Sequence, residues 1–528
     1  MIQEKFSKHL VSGYLRADGT KIVNGNGQEI LLSGFGIGGW MVNEGYMWGI
    51  HTRQYSSPRG LEFLVRELCG SAYADKFWKQ FRHNFITHQD IKEISRLGHT
   101  CIRVPLHWKF FMENEPEIIW LNEGFELLDN LLDWCEQERV YVILDIHASH
   151  GGHTGSNIDD SVDNFARMFN DQMSWDRTIL LWKTIAQRYE SRWIVGAYDL
   201  LNEPIRNDEP PHWPDQGNLL PKLKQFYREC TAAIRSVDKK HMLMYEGHNW
   251  ASKPDIFDEV FDSNMCISPH RYWLNPEPQS YEGFLKVSRQ LNVPLWVGES
   301  GENTNEWYAA MFPLTASLGI GYCFWPWKRM SRADSCPAVI KMPEGWQQVI
   351  EYTIGGVRPT YEHAQQMFDQ LLENIKFENC KLQPSVTDYM FRRPGSKIKG
   401  QDHDKLGGEG KDYSNVSIYK LHPTAPVGKY HRNHFEWEDQ TFDILQGGFA
   451  NYTFFGLDKG AELTLEVKAK ADAKLRVVQQ GKQIAEFTAD KCDEIKQYKT
   501  ALLCADSEDT VTVICDEGTV NLVALAID

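Results

Sequence analysis

Between residues 33 and 325, short apolar runs recur along the chain, each stopping abruptly at a polar or aromatic side chain, with stretches of helical period between them. In Tyr198-Asp199-Leu200-Leu201-Asn202-Glu203-Pro204 the run ends on a carboxylate followed by proline, and Pro294-Leu295-Trp296-Val297-Gly298-Glu299-Ser300 repeats the design. The same pattern predicts strands at 33–40, 100–105, 140–147, 241–247, 265–272 and 320–325. It predicts helices at 85–97, with Thr87 as cap, and at 124–138, 177–189, 219–237, 281–291, 307–318 and 360–377. Apolar strands alternating with helices in eight units predict an α/β chain folded as a (β/α)8 TIM barrel, not an open doubly wound sheet. A hairpin over 14–33, with turns at Asp18-Gly19 and 24–27, is placed to cap the bottom of such a barrel.

The texture changes after residue 377. Residues 379–395, with Pro384 and Arg392-Arg393-Pro394-Gly395, read as a linker whose prolines break regular structure. From 396 short alternating runs dominate, at 451–455, 461–467, 474–478, 510–514 and 520–527, and predict an antiparallel β-sandwich. The expected organisation is a catalytic barrel over 1–378, a linker over 379–395 and a sandwich over 396–528.

The chemistry sits at the predicted strand ends: Glu44, Arg103, His147, Glu203, Glu246, His270, Glu299 and Trp325. The carboxyl ends of barrel strands are where this fold keeps its active site. Two carboxylates delivered there, Glu203 and Glu299, are what acid/base cleavage of a glycosidic bond requires. Arg103 lies in an apolar run, and a buried arginine needs carboxylate partners. Glu246 reads equally well as a substrate contact or as a strand cap.

Composition narrows the partners. A net charge of −16 argues against nucleic acid, and the 18 Trp, 21 Tyr and 26 Phe supply faces that stack on sugar rings as well as core. The glycines of 34–39 lack the dinucleotide fingerprint. Eleven scattered cysteines show no paired spacing, so neither a disulfide framework nor a zinc site is expected. His147, His150 and His153 have no helix-spaced partner set, and no metal or cofactor is expected. No apolar leader or membrane span is apparent, and a cytoplasmic protein is expected unless a signal peptide has been removed. Oligomeric state is not legible.

The strand ends Ile102-Arg103-Val104-Pro105, Asp145-Ile146-His147, Asn202-Glu203-Pro204, Pro269-His270-Arg271-Tyr272, Gly298-Glu299-Ser300 and Trp325 resemble, in order, those of clan A glycoside hydrolases of family 5, over roughly residues 14–377. The resemblance implies a retaining β-glycoside hydrolase, with Glu203 as acid/base and Glu299 as nucleophile. It further implies Arg103 and Tyr272 beside Glu299, Asn202 on the sugar 2-hydroxyl, His147 and His270 on hydroxyls or neighbouring groups, and Trp325 as floor beneath the sugar. Arg103 is then expected to keep Glu299 ionised, and that charge together with burial to raise the pKa of Glu203. Gly39-Trp40-Met41-Val42-Asn43-Glu44 and the loop from His147 through Gly151-Gly152 to Asn157 resemble exo-acting β-glucanases and β-glucosidases, in which the residue matching Glu44 contacts the terminal sugar. His150 and His153 depart from that loop's usual pattern.

Gly407-Gly408-Glu409-Gly410, Tyr413 and Gly447-Gly448 resemble jelly-roll carbohydrate-binding modules of families 6 and 35, without the Glu-rich strand that accompanies their structural calcium. Tyr413, Tyr430 and Trp437 are candidates to stack on sugar; packing against the barrel is the other reading. The expected activity is exo-β-glucosidase or exo-β-glucanase action on β-linked oligosaccharides or β-glucosides, with loops at 50–74 and 207–217 blocking one end of the cleft. An endo-β-glucanase with an open cleft and a non-catalytic glycan-binding protein are the alternatives.

Overall fold

The computed structural model describes residues 3–113, 116–206, 218–330, 336–420, 437 and 440–528. Eight parallel strands form the central sheet: β1 (Ser33–Gly36), β2 (Cys101–His107), β3 (Tyr141–Ala148), β4 (Val195–Asp199), β5 (Met242–Tyr245), β6 (Met265–Ile267), β7 (Trp296–Gly301) and β8 (Gly321–Trp325). Their hydrogen-bonded order runs β6, β5, β4, β3, β2, β1, β8, β7, and parallel bridges Ile267↔Leu295 and His270↔Glu299 bring β6 against β7 and close the barrel. Every residue of β2, β3 and β4 is buried, as a parallel sheet covered on both faces requires. The hairpin of Arg16–Asp18 and Lys21–Val23 lies under the barrel, where Tyr141 donates its hydroxyl to Gly13 O at 2.8 Å and Ala17 N–H bonds Asn264 Oδ1 at 2.8 Å.

The predicted loop at 50–74 is a correction. Most of it is helix, Pro58–Cys69, followed immediately by Ser71–Phe85. Ser57 accepts from Gly60 N–H and Pro58 occupies the first turn, a standard helix opening, and Leu61, Leu64, Val65 and Leu68 form the buried stripe. The following helix, His88–Arg96, opens on Thr87 as expected, where Thr87 and Asp90 form a reciprocal capping box, while Phe85 belongs to the end of the helix before it. The other predicted blocking loop, 207–217, lies outside the described residues.

Residues 379–395 are also corrected. They hold the strand Lys381–Leu382, paired with Ala338–Ile340, and the helix Pro384–Met390, in which Pro384 opens the first turn instead of breaking structure. That helix packs on the barrel helix Asn305–Ser317. Arg392 ties the same junction, donating from Nε to Ala309 O and from Nη2 to Asp402 O, both at 2.8 Å.

Beyond it lies one antiparallel sheet built from Lys397–Lys399, Tyr413–Lys420, Gln440–Leu457, Glu462–Ala469, Ala473–Gln479, Lys482–Ala489, Cys492–Ala501, Ala505–Glu517 and Thr519–Ile527. It curls so that Lys482–Ala489 and Cys492–Ala501 meet, around a core including Phe442, Leu463, Leu475, Val513 and Leu525. Trp437 is 2% exposed, its indole N–H bonded to Asp402 at 2.6 Å and its ring covered by Lys399 Nζ at 4.1 Å. It is a packing residue, not an open stacking platform. Tyr413 is half-buried against His403 at 4.7 Å, and Tyr430 lies outside the described residues. Among the described residues, no helix is long and apolar enough to cross a membrane.

Candidate active site

A cavity of about 680 Å³ opens at the carboxyl ends of the barrel strands. Glu44, His147, Asn157, Glu203, His270, Tyr272, Glu299 and Trp325 line it; Arg103 and Asn202 stand behind the wall, fully buried.

Arg103 is the hub. Its guanidinium donates to Glu299 at 2.6 Å, Glu246 at 2.8 Å, Asp199 at 2.9 Å and Asn202 Oδ1 at 3.0 Å, with Asp145 at 3.2 Å. Burial works against the charged forms of Asp145 and Asp199 in this cluster and raises both carboxyls. Burial, against the pull of Arg103, pushes the Asp145 carboxyl up to about 7, and burial lifts Glu246 well above the usual carboxylate range.

From Arg103 a donor chain runs to the cavity floor. Since Asn202 Oδ1 accepts from Arg103, its NH2 group donates to His147 Nε2 at 3.2 Å, and His147 Nδ1–H donates to Asp145 at 2.8 Å. Burial holds His147 down to about 3, so the ring is neutral and this tautomer is self-consistent. The imidazole lies parallel to Trp325 at 5.5 Å, and the indole N–H bonds the Tyr46 hydroxyl at 2.9 Å. The glycines at the end of β1 and just beyond it follow from this floor. A Cβ on Gly36 or Gly38 would come within 2.4 Å of the Trp325 ring.

Strand β4 stops at Asp199, and its continuation is bent to aim Glu203. Asn202 N–H bonds Ile146 O, Asn202 O accepts from His153 Nε2 at 2.6 Å, and Glu203 N–H bonds Glu246 Oε2 at 2.5 Å. Glu203 itself sits at φ 45, strain of the kind found at functional sites. Glu246 and His153 both lie off the cavity lining. Glu246 is buried behind the wall and positions Glu203, and His153 props Asn202 from the back. His150 bonds Ser174 at 2.7 Å, away from the cavity lining.

His270 joins the two strand-end carboxylates. Its Nδ1 bonds Glu203 Oε1 at 2.8 Å and lies 3.6 Å from Glu299 Oε2, while Nε2 faces Glu246 Oε1 at 3.0 Å, obliquely enough to count as an ion pair without a hydrogen bond. Burial opposes a charge on His270, but Glu246, Glu299 and the bond to Glu203 outweigh it and hold the imidazolium well above its ordinary range. Tyr272 donates its hydroxyl to Glu299 Oε2 at 2.9 Å. Among the described residues, Glu203, His270 and Glu299 also form the one group of potential metal ligands, their atoms within 4.8 Å of one another.

Sequence reasoning missed several wall residues. Glu302 lines the cavity, paired with Arg329 at 2.8 Å, and the Arg329 guanidinium lies 4.5 Å from the centre of the Tyr46 ring. Burial, then Glu302, Glu299 and Glu203, raise the Glu44 carboxyl well above its ordinary value. Asn249, Trp250, Trp273 and Leu274 complete the rim. Trp273 follows directly on the strand-end motif ending in Tyr272, a placement that could have drawn attention to it; Glu302 carries no comparable signal.

Residues 62–331, just over half of the chain, match the family model described as cellulase (glycosyl hydrolase family 5). The chain belongs to glycosyl hydrolase family 5. Among curated proteins, this family 5 chain is similar to the beta-xylosidase of Phanerodontia chrysosporium, with 30% identity over 319 residues covering 59% of this chain and 60% of that protein. It is also similar to the probable glucan 1,3-beta-glucosidase A of Aspergillus clavatus, with 26% identity over 216 residues, 40% of this chain and 49% of that one. The chain thus spans about half to three-fifths of the length of these relatives. Among solved structures, that of an endogalactoceramidase covers 95% of this chain and 100% of its own, at 14% identity and a TM-score of 0.48.

Proposed function

We propose that this family 5 protein is a retaining β-glycoside hydrolase that releases sugar from the non-reducing end of β-glucosides or β-linked gluco-oligosaccharides. The observation that carries the reading is the carboxylate pair: oxygens of Glu203 and Glu299 lie within 4.8 Å of each other in the cavity. Retaining glycosidases hold their carboxyl groups about 5–5.5 Å apart, whereas inverting ones leave roughly 6.5–9.5 Å for a water.

In the mechanism this geometry supports, Glu299 is the nucleophile. It accepts from a guanidinium and a phenol hydroxyl, a shell suited to an anionic carboxylate. Its attack on the anomeric carbon forms a glycosyl ester as Glu203 gives its proton to the departing oxygen. Glu203 then takes a proton from water, which cleaves the ester and restores both groups. His270 fixes the Glu203 carboxyl through Nδ1. Trp325 and His147 form the floor on which the sugar rests.

The exo mode is favoured by bonds across one side of the mouth. Asn157 donates to Ser56 O at 3.3 Å, and Arg59 holds Asp160 through its backbone N–H at 2.9 Å and Nε at 3.1 Å. These join the segment after β1 to the loop after β3 and wall the cleft next to Glu44.

The test is hydrolysis of a panel of nitrophenyl β-glycosides and of β-1,3-, β-1,4- and β-1,6-linked glucose and xylose oligomers, with Glu299→Gln alongside. Release of one terminal sugar at a time, absent in the variant, is expected. Internal cleavage of long polymers alone makes the protein an endo-glucanase. Binding of the oligomers with no cleavage makes it a glycan-binding protein.

A further inference from the structure

Two loops build the cavity wall beside Glu203: residues 249–252 after β5 and 271–274 after β6. Asn249 N–H donates to Ile205 O at 2.7 Å, tying the first loop to the segment that carries Glu203. A group that protonates a departing oxygen stands on the leaving-group side of the bond. These loops therefore face the leaving group. They are also strained, with Asn249, Trp250, Ala251 and Trp273 all at φ between 50 and 59.

Arg271 stands out in this wall. It is 8% exposed, yet no carboxylate among the described residues pairs with it. Arg82, Arg103 and Arg329, also buried, each have a carboxylate within 2.8 Å. Arg271 Nη1 reaches only Ser252 O, at 3.5 Å, and Nε has no hydrogen-bond partner. Its guanidinium lies 4.5 Å from the centre of the Phe284 ring and 5.9 Å from that of Tyr281. Two aromatic faces offset only part of the cost of burying a cation without an anion. Placed at the cavity wall, the missing anion is one that a ligand can bring.

We propose that Arg271 is an anion-recognition residue on the leaving-group side. The preferred substrates are β-glycosides whose leaving group carries an oxyanion, a carboxylate in the simplest case, gripped by the forked guanidinium while Trp250 and Trp273 offer apolar surface beside it. The assignment rests on the hydrolase reading for its account of which side is which.

The test uses two aryl β-glycosides of matched phenol acidity, 3-carboxyphenyl and 3-(hydroxymethyl)phenyl, on the sugar chosen by the hydrolysis panel. Their kcat/KM ratio is measured for wild type, Arg271→Met, which keeps the packing on Phe284, and Arg271→Lys, which keeps the charge. Wild type is expected to favour the carboxylate at least tenfold, Arg271→Met to bring the ratio near one, and Arg271→Lys to fall between. A wild-type ratio near one, or a ratio unchanged in Arg271→Met, overturns the proposal.

Calorimetric binding of the same pair to Glu299→Gln protein, with Arg271 intact, separates this assignment from the reaction and from any folding defect of the Arg271 variants. Tighter binding of the carboxylate supports Arg271 even if wild type hydrolyses neither glycoside, in which case only the hydrolase reading fails. Equal binding refutes the Arg271 assignment even if hydrolysis proceeds.

Discussion

Glu203→Gln isolates a single proton. Glutamine matches the carboxyl in size, its carbonyl oxygen can still accept from His270 at the 2.8 Å position of Oε1, and the backbone bond from residue 203 to Glu246 is untouched. What is lost is the ability to give a proton to the leaving oxygen. General acid catalysis supplies roughly 10²- to 10⁴-fold, and at about 1.4 kcal/mol per tenfold that corresponds to roughly 3–5.5 kcal/mol of barrier. The full loss applies only where the departing group needs the proton. A sugar or alkyl leaving group is therefore expected to lose about 10²- to 10⁴-fold in kcat/KM, while a dinitrophenolate, stable as an anion, loses less than about tenfold. With the dinitrophenyl substrate kcat still falls, because water is no longer activated in the second step, and a burst of dinitrophenol precedes slow turnover. The assay is stopped-flow release of the phenol beside steady-state kinetics on an alkyl glycoside. Equal losses of kcat/KM on both substrates refute Glu203 as the acid, as does a variant that keeps wild-type rates on the alkyl glycoside.

Other residues give equally direct expectations. Arg103→Met leaves Asp199, Glu246 and Glu299 buried around an apolar side chain; breaking one buried pair costs about 3–5 kcal/mol, so urea unfolding should show at least that loss, and a change under about 1 kcal/mol contradicts the hub role. Gly36→Ala drives a methyl toward the Trp325 ring, which a Cβ would approach to 2.4 Å; overpacking of about 1–3 kcal/mol and a tilted floor should appear as lower thermal stability and lower kcat/KM together, and wild-type kinetics would show that the floor is not fixed by that contact. His403 is buried against Tyr413 and Phe442 of the C-terminal sheet, and burial holds its pKa down to about 4. Below its unfolded value of about 6.5 the unfolded chain binds a proton that the folded one refuses until about pH 4, so this contribution to stability is present above pH 6.5 and lost as pH falls. His403→Phe should remove about 2 kcal/mol of the stability that urea unfolding shows lost between pH 7 and pH 5; an unchanged pH dependence refutes it.

The barrel was legible because each strand is an apolar run ended by a side chain of another kind, a pattern that needs no tertiary information. Glu203, His270, Glu299 and Trp325 were found at those ends for the same reason, and the structure brings them to one cavity. The helix Pro58–Cys69 was missed although Ser57-Pro58 and the Leu61/Leu64/Leu68 spacing announce it, because a long connection after the first strand looked like a cleft-blocking loop. The strand Cys492–Ala501 escaped for a physical reason: most of its residues are exposed, so no apolar alternation marks it. Nothing in the chain signals the positive φ of Glu203, Trp273 or Glu302, which arises from loops held by distant partners. Trp437 illustrates the converse limit, since an aromatic residue in a glycine-rich β domain reads alike whether it stacks on sugar or, as here, is buried on Asp402.

The central claim is that Glu203 and Glu299 are close enough for double displacement. Proton NMR of the first sugar released, recorded before mutarotation, tests it most directly. The account predicts the β-anomer from a β-glycoside, formed through an ester on Glu299; the α-anomer as first product would mean that water attacks directly, and would contradict it.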